Sequence, residues 1–212
     1  KNVVMVRSVT RLSHASGNVV FGKLPEIEKN AFFAHEGPLL DPVQGPMSSL
    51  PVVYKHGLQQ EKLKQVVADF EASGFNAYSG PAAPELLLIT GSACFLYSKE
   101  AISLLGVQER VGLLKLGTTW PLPPEFMERY LARSEKILVV EEVISFLEDE
   151  VKILAADLAP KIGIKTFYGK KEGSLPMVGE LNPDLVATAL SKIFGLDYKT
   201  VPDTYVDRAT EV

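Results

Sequence analysis

The chain has 212 residues, with 22 basic against 26 acidic for a formal charge of -4, and it is 46% hydrophobic and 23% charged. That balance is too apolar for a disordered chain and lacks the concentration of Lys and Arg that nucleic acid demands, while no apolar run approaches the length of a transmembrane helix, so neither a nucleic-acid nor a membrane partner is expected. The lone Cys94 excludes an internal disulfide framework and any cysteine-ligated iron–sulfur cluster or Cys-rich zinc site, and it fits a reducing cytoplasm.

The length predicts one full domain with extra material, and nothing at the start reads as a signal peptide. Lys1 leads at once into Val3, Val4, Met5 and Val6, a buried-strand pattern, and Val19, Val20 and Phe21 form a second short run. A lone hairpin is marginal in water, so residues 1–22 are expected to be the trailing edge of another domain, and the chain a piece of a larger polypeptide. Residues 23–80 carry Pro25, Pro38, Pro42, Pro46 and Pro51 with Gly37 and Gly45, the punctuation of a linker. One helix is predicted inside it, with Leu63, Val66, Val67 and Phe70 on one face and Gly74 to stop it.

From 81 to 200 short apolar runs alternate with amphipathic helices. Residues 86–89 read as a strand buried on both faces. Phe95, Leu96, Ile102 and Leu105 follow on one helical face, ended by Gly106. A second strand covers 111–116, and Pro123 and Pro124 suit the first turn of a short helix bearing Phe126, Tyr130 and Leu131. The third strand is 137–140. Ser145 and Glu148 then make an S-x-x-E capping box ahead of the stripe Leu147, Val151, Leu154 and Leu158. The fourth strand is 164–168. Asn182 caps a last helix with Pro183 at its first position and Gly195 beyond its end, and 201–212 reads as a tail towards a further domain. Strands alternating with helices imply right-handed crossovers and a mostly parallel sheet covered on both faces. The expected fold class is therefore α/β, a three-layer αβα sandwich.

No dinucleotide fingerprint, nucleophile elbow or Gly-Asp-Gly appears. The stretch 163–170 has one residue too many for a phosphate-binding loop, and Lys171 stands where Ser or Thr belongs. His14, His35 and His56 are too far apart for a helical metal motif. On its own residues the chain is expected to hold no cofactor and no metal.

Function in an open parallel sheet gathers at the carboxyl ends of the strands. Two ends are distinctive here. Strand two runs into residues 117–123, which contain Thr118, Thr119 and Trp120; strand three runs into Glu141 and Glu142. Two readings stand for Trp120, as a gap filler in a rigid turn or as an anchor at a domain interface. Two stand for Glu141, as an exposed acid favoured by a helix dipole or as a hold on a neighbouring subunit. Parallel strands place Thr119 and Glu141 at one edge. At the opening, Arg7, Arg11 and His14 lie along one extended segment, either a solvated edge strand or a strip facing an anion or an interface.

These same stretches resemble one family. Residues 7–14, R-S-V-T-R-L-S-H, look like the stretch that closes the pyrimidine-binding domain of the alpha subunit of indolepyruvate:ferredoxin oxidoreductases, with Ser8-Val9 where that family usually has two threonines. Phe75-Asn76 before Gly80, residues 114–123, residues 139–142 and residues 175–183 look like its second domain, which is similar to the C-terminal domain of transketolases. The resemblance implies an enzyme that oxidatively decarboxylates aryl 2-oxoacids such as indolepyruvate to acyl-coenzyme A, with ferredoxin as electron acceptor. It further implies thiamine diphosphate, magnesium and 4Fe-4S clusters in the full enzyme. The implied partners are the flanking domains, a beta subunit, ferredoxin and coenzyme A. No catalytic residue of the family carries over onto this chain, so the role expected of it is architectural. A free-standing α/β module binding a small ligand or partner is the alternative, as is a related oxidoreductase with another 2-oxoacid substrate.

Overall fold

The computed structural model describes residues 5, 6, 8, 13–26, 37–43, 45, 47 and 51–199. The chain divides into two units, residues 1–51 and 52–212. In the first, Met5, Val6, Val19, Val20 and Phe21 are exposed, and residues 19–21 are irregular rather than strand-like. No described strand pairs with them, and an extended segment without a partner forms no ladder of hydrogen bonds. Of the N-terminal strip, Arg7 and Arg11 lie outside the described residues, while His14 is exposed.

The second unit begins earlier than the composition suggests, at helix α1 (Val52–Glu71) rather than at 81. The four residues read as its packing face, Leu63, Val66, Val67 and Phe70, are its part-buried apolar residues, and 52–62 is exposed throughout. Strand β1 (Ala77–Ser79) also lies in the stretch read as linker. Three residues are too few to show a period, and only its partner strand makes it a strand.

The remaining elements follow the expected alternation: β2 (Leu86–Thr90), α2 (Ser92–Leu105), β3 (Val111–Lys115), α3 (Pro124–Leu131), β4 (Lys136–Val140), α4 (Phe146–Ile162), β5 (Thr166–Tyr168) and α5 (Pro183–Phe194). Their order in the sheet is β1-β3-β2-β4-β5. Strands β3, β2, β4 and β5 are parallel, and β1 is antiparallel on the β3 edge. Gly106 and Gly195 end α2 and α5 with φ of 64° and 65°, a left-handed cap that glycine adopts without a Cβ penalty.

The layers follow from handedness. The chain steps from β2 to β3 in one direction, then reverses across β2 to β4 and on to β5. With right-handed crossovers, a reversal of direction moves the connecting helix to the other face. Accordingly α2 shares one core with α5, while α3 and α4 share the opposite one. Strand β2 lies between them and is buried at all five positions. Leu86 and Leu88 point into the first core and Leu87 and Ile89 into the second, as the two-residue period of a strand requires. The fold is the expected αβα sandwich with a mostly parallel sheet.

Candidate functional site

The strand order reverses between β2 and β4, at whose carboxyl ends open α/β sheets place their sites. Register aligns these ends: Thr90 pairs with Lys115 on one side and with Val140 on the other. The loops after β3 and β4 therefore leave from one edge, so Thr119 and Glu141 share it.

The loop after β3 is clamped from below by Asn76. Its Oδ1 accepts the backbone N–H groups of Gly117 and Thr118 at 2.9 and 3.1 Å. Its Nδ2 donates to Thr118 Oγ1 at 2.7 Å and to the Phe70 carbonyl at 3.2 Å. Gly117 presses so closely on Phe75 that a Cβ would lie 2.6 Å from the Phe75 Cβ. Thr118 is thus a buried part of the clamp. Thr119 is exposed, and Trp120, which precedes a cis peptide to Pro121, stands 52% exposed.

The loop after β4 turns on Glu141. Its two carboxylate oxygens accept the N–H groups of Leu147 and Glu148 at 2.7 and 2.8 Å, closing the first turn of α4. The S-x-x-E capping box read from the sequence is not made: Ser145 occupies the N-cap position, but its side chain caps nothing. Glu141 is half-buried rather than an exposed acid. Burial pushes its carboxyl above the usual carboxylate range, against the pull of the two N–H bonds; nearby Glu148 raises it further and Lys170 opposes this. Glu142 accepts the N–H of Leu181 at 3.1 Å. Between these anchors Val143 holds φ 68°, a conformation strained for a β-branched residue.

Glu148, instead of reaching back to Ser145, is fully buried and points towards the loop after β5. It accepts the N–H groups of Lys170 and Lys171 at 2.8 and 3.3 Å and pairs with Lys152 at 2.5 Å. Gly169 leaves the room: a Cβ there would lie 2.6 Å from Glu148 Oε2. The buried Lys170 ammonium donates to the Pro176 carbonyl at 2.8 Å, tying down the segment that follows.

Glu141 spends both oxygens on backbone N–H groups, Glu142 one, and Glu148 divides its oxygens between N–H groups and the Lys152 ammonium. Cys94 is buried, and burial, aided by Glu142 and Glu141 and opposed by Lys170, pushes its thiol up to about 12, so it is no nucleophile at neutral pH. Among the described residues no group of three His, Cys, Asp or Glu side chains is placed to hold a metal ion. The contacts at this edge hold three loops in place. Sequence reasoning singled out Thr118, Thr119, Trp120 and Glu141 here but missed Asn76, Glu142, Glu148 and Lys170 as the groups that shape it. Asn76 had a signal, being quoted in the resemblance. Glu148 carried a misleading one.

No family model matches the chain. Curated proteins do resemble it. The indolepyruvate oxidoreductase subunit IorA of Thermococcus kodakarensis is 32% identical over 197 residues, covering 93% of this chain and 30% of the relative. Those of Pyrococcus abyssi and Archaeoglobus fulgidus are 32% identical over 198 and 195 residues, covering 92% and 91% of this chain and 29% of each relative. The chain is a relative of the IorA subunits. It spans about three-tenths of the length of these relatives. Among solved structures, a 2-oxoglutarate:ferredoxin oxidoreductase from Magnetococcus marinus, with 2-oxoglutarate, coenzyme A and succinyl-CoA bound, overlays with a TM-score of 0.45 and 18% identity over 65% of this chain and 23% of that one. In this IorA relative, four of the stretches that carried the resemblance, 75–76, 114–123, 139–142 and 175–183, meet at the carboxyl edge. Asn76 clamps 117–118, Glu141 and Glu142 hold the β4 loop, and Leu181 in the segment 175–183 is the partner of Glu142.

Proposed function

We propose that this chain is an assembly domain of an oxidoreductase that oxidatively decarboxylates aryl 2-oxoacids, indolepyruvate among them, to acyl-coenzyme A with ferredoxin as electron acceptor in the cytoplasm. The observation that carries the reading is the carboxyl edge. Related by sequence to IorA subunits, the chain engages the carboxylates of this edge with backbone N–H groups and a lysine, which supports an architectural contribution. Thiamine diphosphate, magnesium and 4Fe-4S clusters belong to the full enzyme in this reading, and they do not fit the described residues. A cluster needs several thiolates, and Cys94 alone is buried with its proton held. Magnesium needs free carboxylate oxygens, and those of Glu141 are taken by the N–H groups of α4. The flanking domains, a beta subunit, ferredoxin and coenzyme A are the partners the reading requires.

The test is an assay of the full-length subunit assembled with its partner subunit, following coenzyme A-dependent reduction of ferredoxin. Indolepyruvate is expected to give at least tenfold higher kcat/KM than 2-oxoglutarate, and Cys94→Ala to leave that value within twofold. An assembled enzyme that reduces ferredoxin with 2-oxoglutarate but not with aryl 2-oxoacids overturns the substrate class. Loss of turnover in a folded Cys94→Ala enzyme overturns the architectural role.

A further inference from the structure

We infer that the carboxyl edge of the sheet is a docking surface covered by another domain of the same, longer polypeptide, through Trp120, Val143, Ile144, Met177 and Val178. This rests on the reading of the chain as one domain of a larger subunit. The five side chains come from the loops after β3, β4 and β5, and their exposures are 52%, 60%, 63%, 51% and 83%. Isolated apolar residues on a surface mean little, but several on one functional edge mark an interaction site. Three features separate this edge from an ordinary solvated rim.

The loops are held from beneath. Asn76 fixes the first, Glu141 and Glu142 the second, and Glu148 with Lys170 the third. A surface ordered before contact loses little conformational entropy on docking. The charges of Glu141, Glu142, Glu148 and Lys170 are also turned inward onto backbone groups. The β5 loop exposes Lys171, Glu172 and Glu180 as well, so the edge presents aromatic and aliphatic side chains together with charged ones, as interfaces do. Finally, Val143 keeps a strained φ of 68° yet is 60% exposed. The strain gains no burial within this domain, which fits a loop shaped for contact with something outside it.

The occupant follows from chain length and size. The matched segment is 30% of the Thermococcus relative, so in such a subunit most of the polypeptide is tethered to this domain at high effective concentration. Five side chains along one edge suit the contacts between domains of one chain, about 600–1,500 Å². An obligate dimer needs roughly 2,000 Å² or more.

The experiment is hydroxyl-radical footprinting of the full-length subunit without its partner subunit, reading oxidation of the peptides holding Trp120 and Met177 over a hundredfold range of protein concentration. The expected result is at least fivefold slower oxidation than in the same subunit unfolded in urea, unchanged by dilution. Because Ile144 is exposed, Ile144→Lys leaves the domain folded, and it is expected to raise both rates towards the unfolded value. Rates equal to the unfolded subunit's in the wild type overturn the proposal. Protection that fades on dilution assigns the edge to a second copy, and protection that appears only with the partner subunit assigns it there; either result overturns the same-chain occupant. The outcome is separable from the functional reading. A protected edge in an enzyme inactive on aryl 2-oxoacids keeps this inference and sinks that one, and a freely oxidised edge in an active enzyme does the reverse.

Discussion

Helices α4 and α5 begin in different ways. At α5 the cap is local: Asn182 accepts the N–H of Leu185 at 2.9 Å, and Pro183 occupies the first position, where its missing N–H is no loss. At α4 the cap comes from outside the helix, from Glu141 at the end of β4, while the glutamate in the position of a local capping box crosses to Gly169, Lys170 and Lys171. Helix α3 repeats the second pattern, since Glu71 at the end of α1 accepts the N–H groups of Glu125 and Phe126 at 2.8 and 2.7 Å. A local cap specifies where a helix starts. A remote cap specifies that and also fixes the position of the segment that supplies it, so α3 and α4 are tied to tertiary structure in a way that α5 is not.

The largest effect that tests this contrast is at Glu148. Glu148→Ala strips the acceptor from two backbone N–H groups beneath the β5 loop and leaves a buried hole, so it is expected to destabilise the protein by about 3 kcal/mol or more. Urea denaturation of the chain measures it. A loss within the roughly 1 kcal/mol of an ordinary cap would mean that the remote contact holds nothing a local one does not. Gly169→Ala approaches the same contact from the other side, since its Cβ would lie 2.6 Å from Glu148 Oε2 and the carboxylate must move.

Asn76 comes next. Asn76→Ala leaves the N–H groups of Gly117 and Thr118 without their acceptor, at an expected cost of about 2 kcal/mol, read by the same denaturation. Hydrogen exchange at Gly117 and Thr118 is expected to quicken more than at Leu185, whose cap is elsewhere. Equal changes at both places would break the distinction between the edge and the rest of the fold.

Most of the fold was legible because it is written in short-range patterns. The continuous apolar run at 86–89, the proline pairing at Pro123 and Pro124, and the glycines after α2 and α5 each mark an element within a few residues. The failures are long-range. Strand β1 exists because Tyr78 pairs with Leu114, which no window of sequence contains. Glu71 caps a helix 54 residues away. The pattern at Ser145 and Glu148 is a sound local motif overruled by a buried partner. At the candidate site the loops were placed correctly, but which side chains are inward clamps and which face solvent depended on those distant partners. Thr118 and Trp120, two residues apart, fall on opposite sides of that division.

A smaller effect ranks the two kinds of cap directly. Asn182→Ala is expected to cost about 1 kcal/mol, and Ser145→Ala less than half of that, because the Ser145 side chain caps no N–H group. The two variants are compared by thermal and urea unfolding. If Ser145→Ala costs as much as Asn182→Ala, the local capping box operates at α4 after all, and Glu141 is secondary.

The smallest expected effect, and the one that separates burial from hydrogen bonding at Glu141, is its pH dependence. Burial raises the Glu141 carboxyl above its ordinary value of 4.5, with Glu148 adding to the shift and Lys170 and the two helix N–H groups opposing it. A carboxyl raised in the folded state binds its proton more tightly there than in the unfolded chain. Its contribution to stability is therefore full below the unfolded pKa and is lost as pH rises through the folded one. Glu141→Gln removes the titration but keeps a carbonyl oxygen that accepts one of the two N–H groups. Wild type and variant are then expected to have similar urea midpoints near about pH 4, with the wild type falling behind as the pH climbs towards about 7. The other carboxylates are present in both proteins, so the difference between them follows the charge at position 141 and its interaction with Glu148. A wild type that instead gains on the variant with rising pH would mean that the N–H bonds of Leu147 and Glu148 outweigh desolvation, and that the remote cap stabilises the charged form as strongly as a local one does.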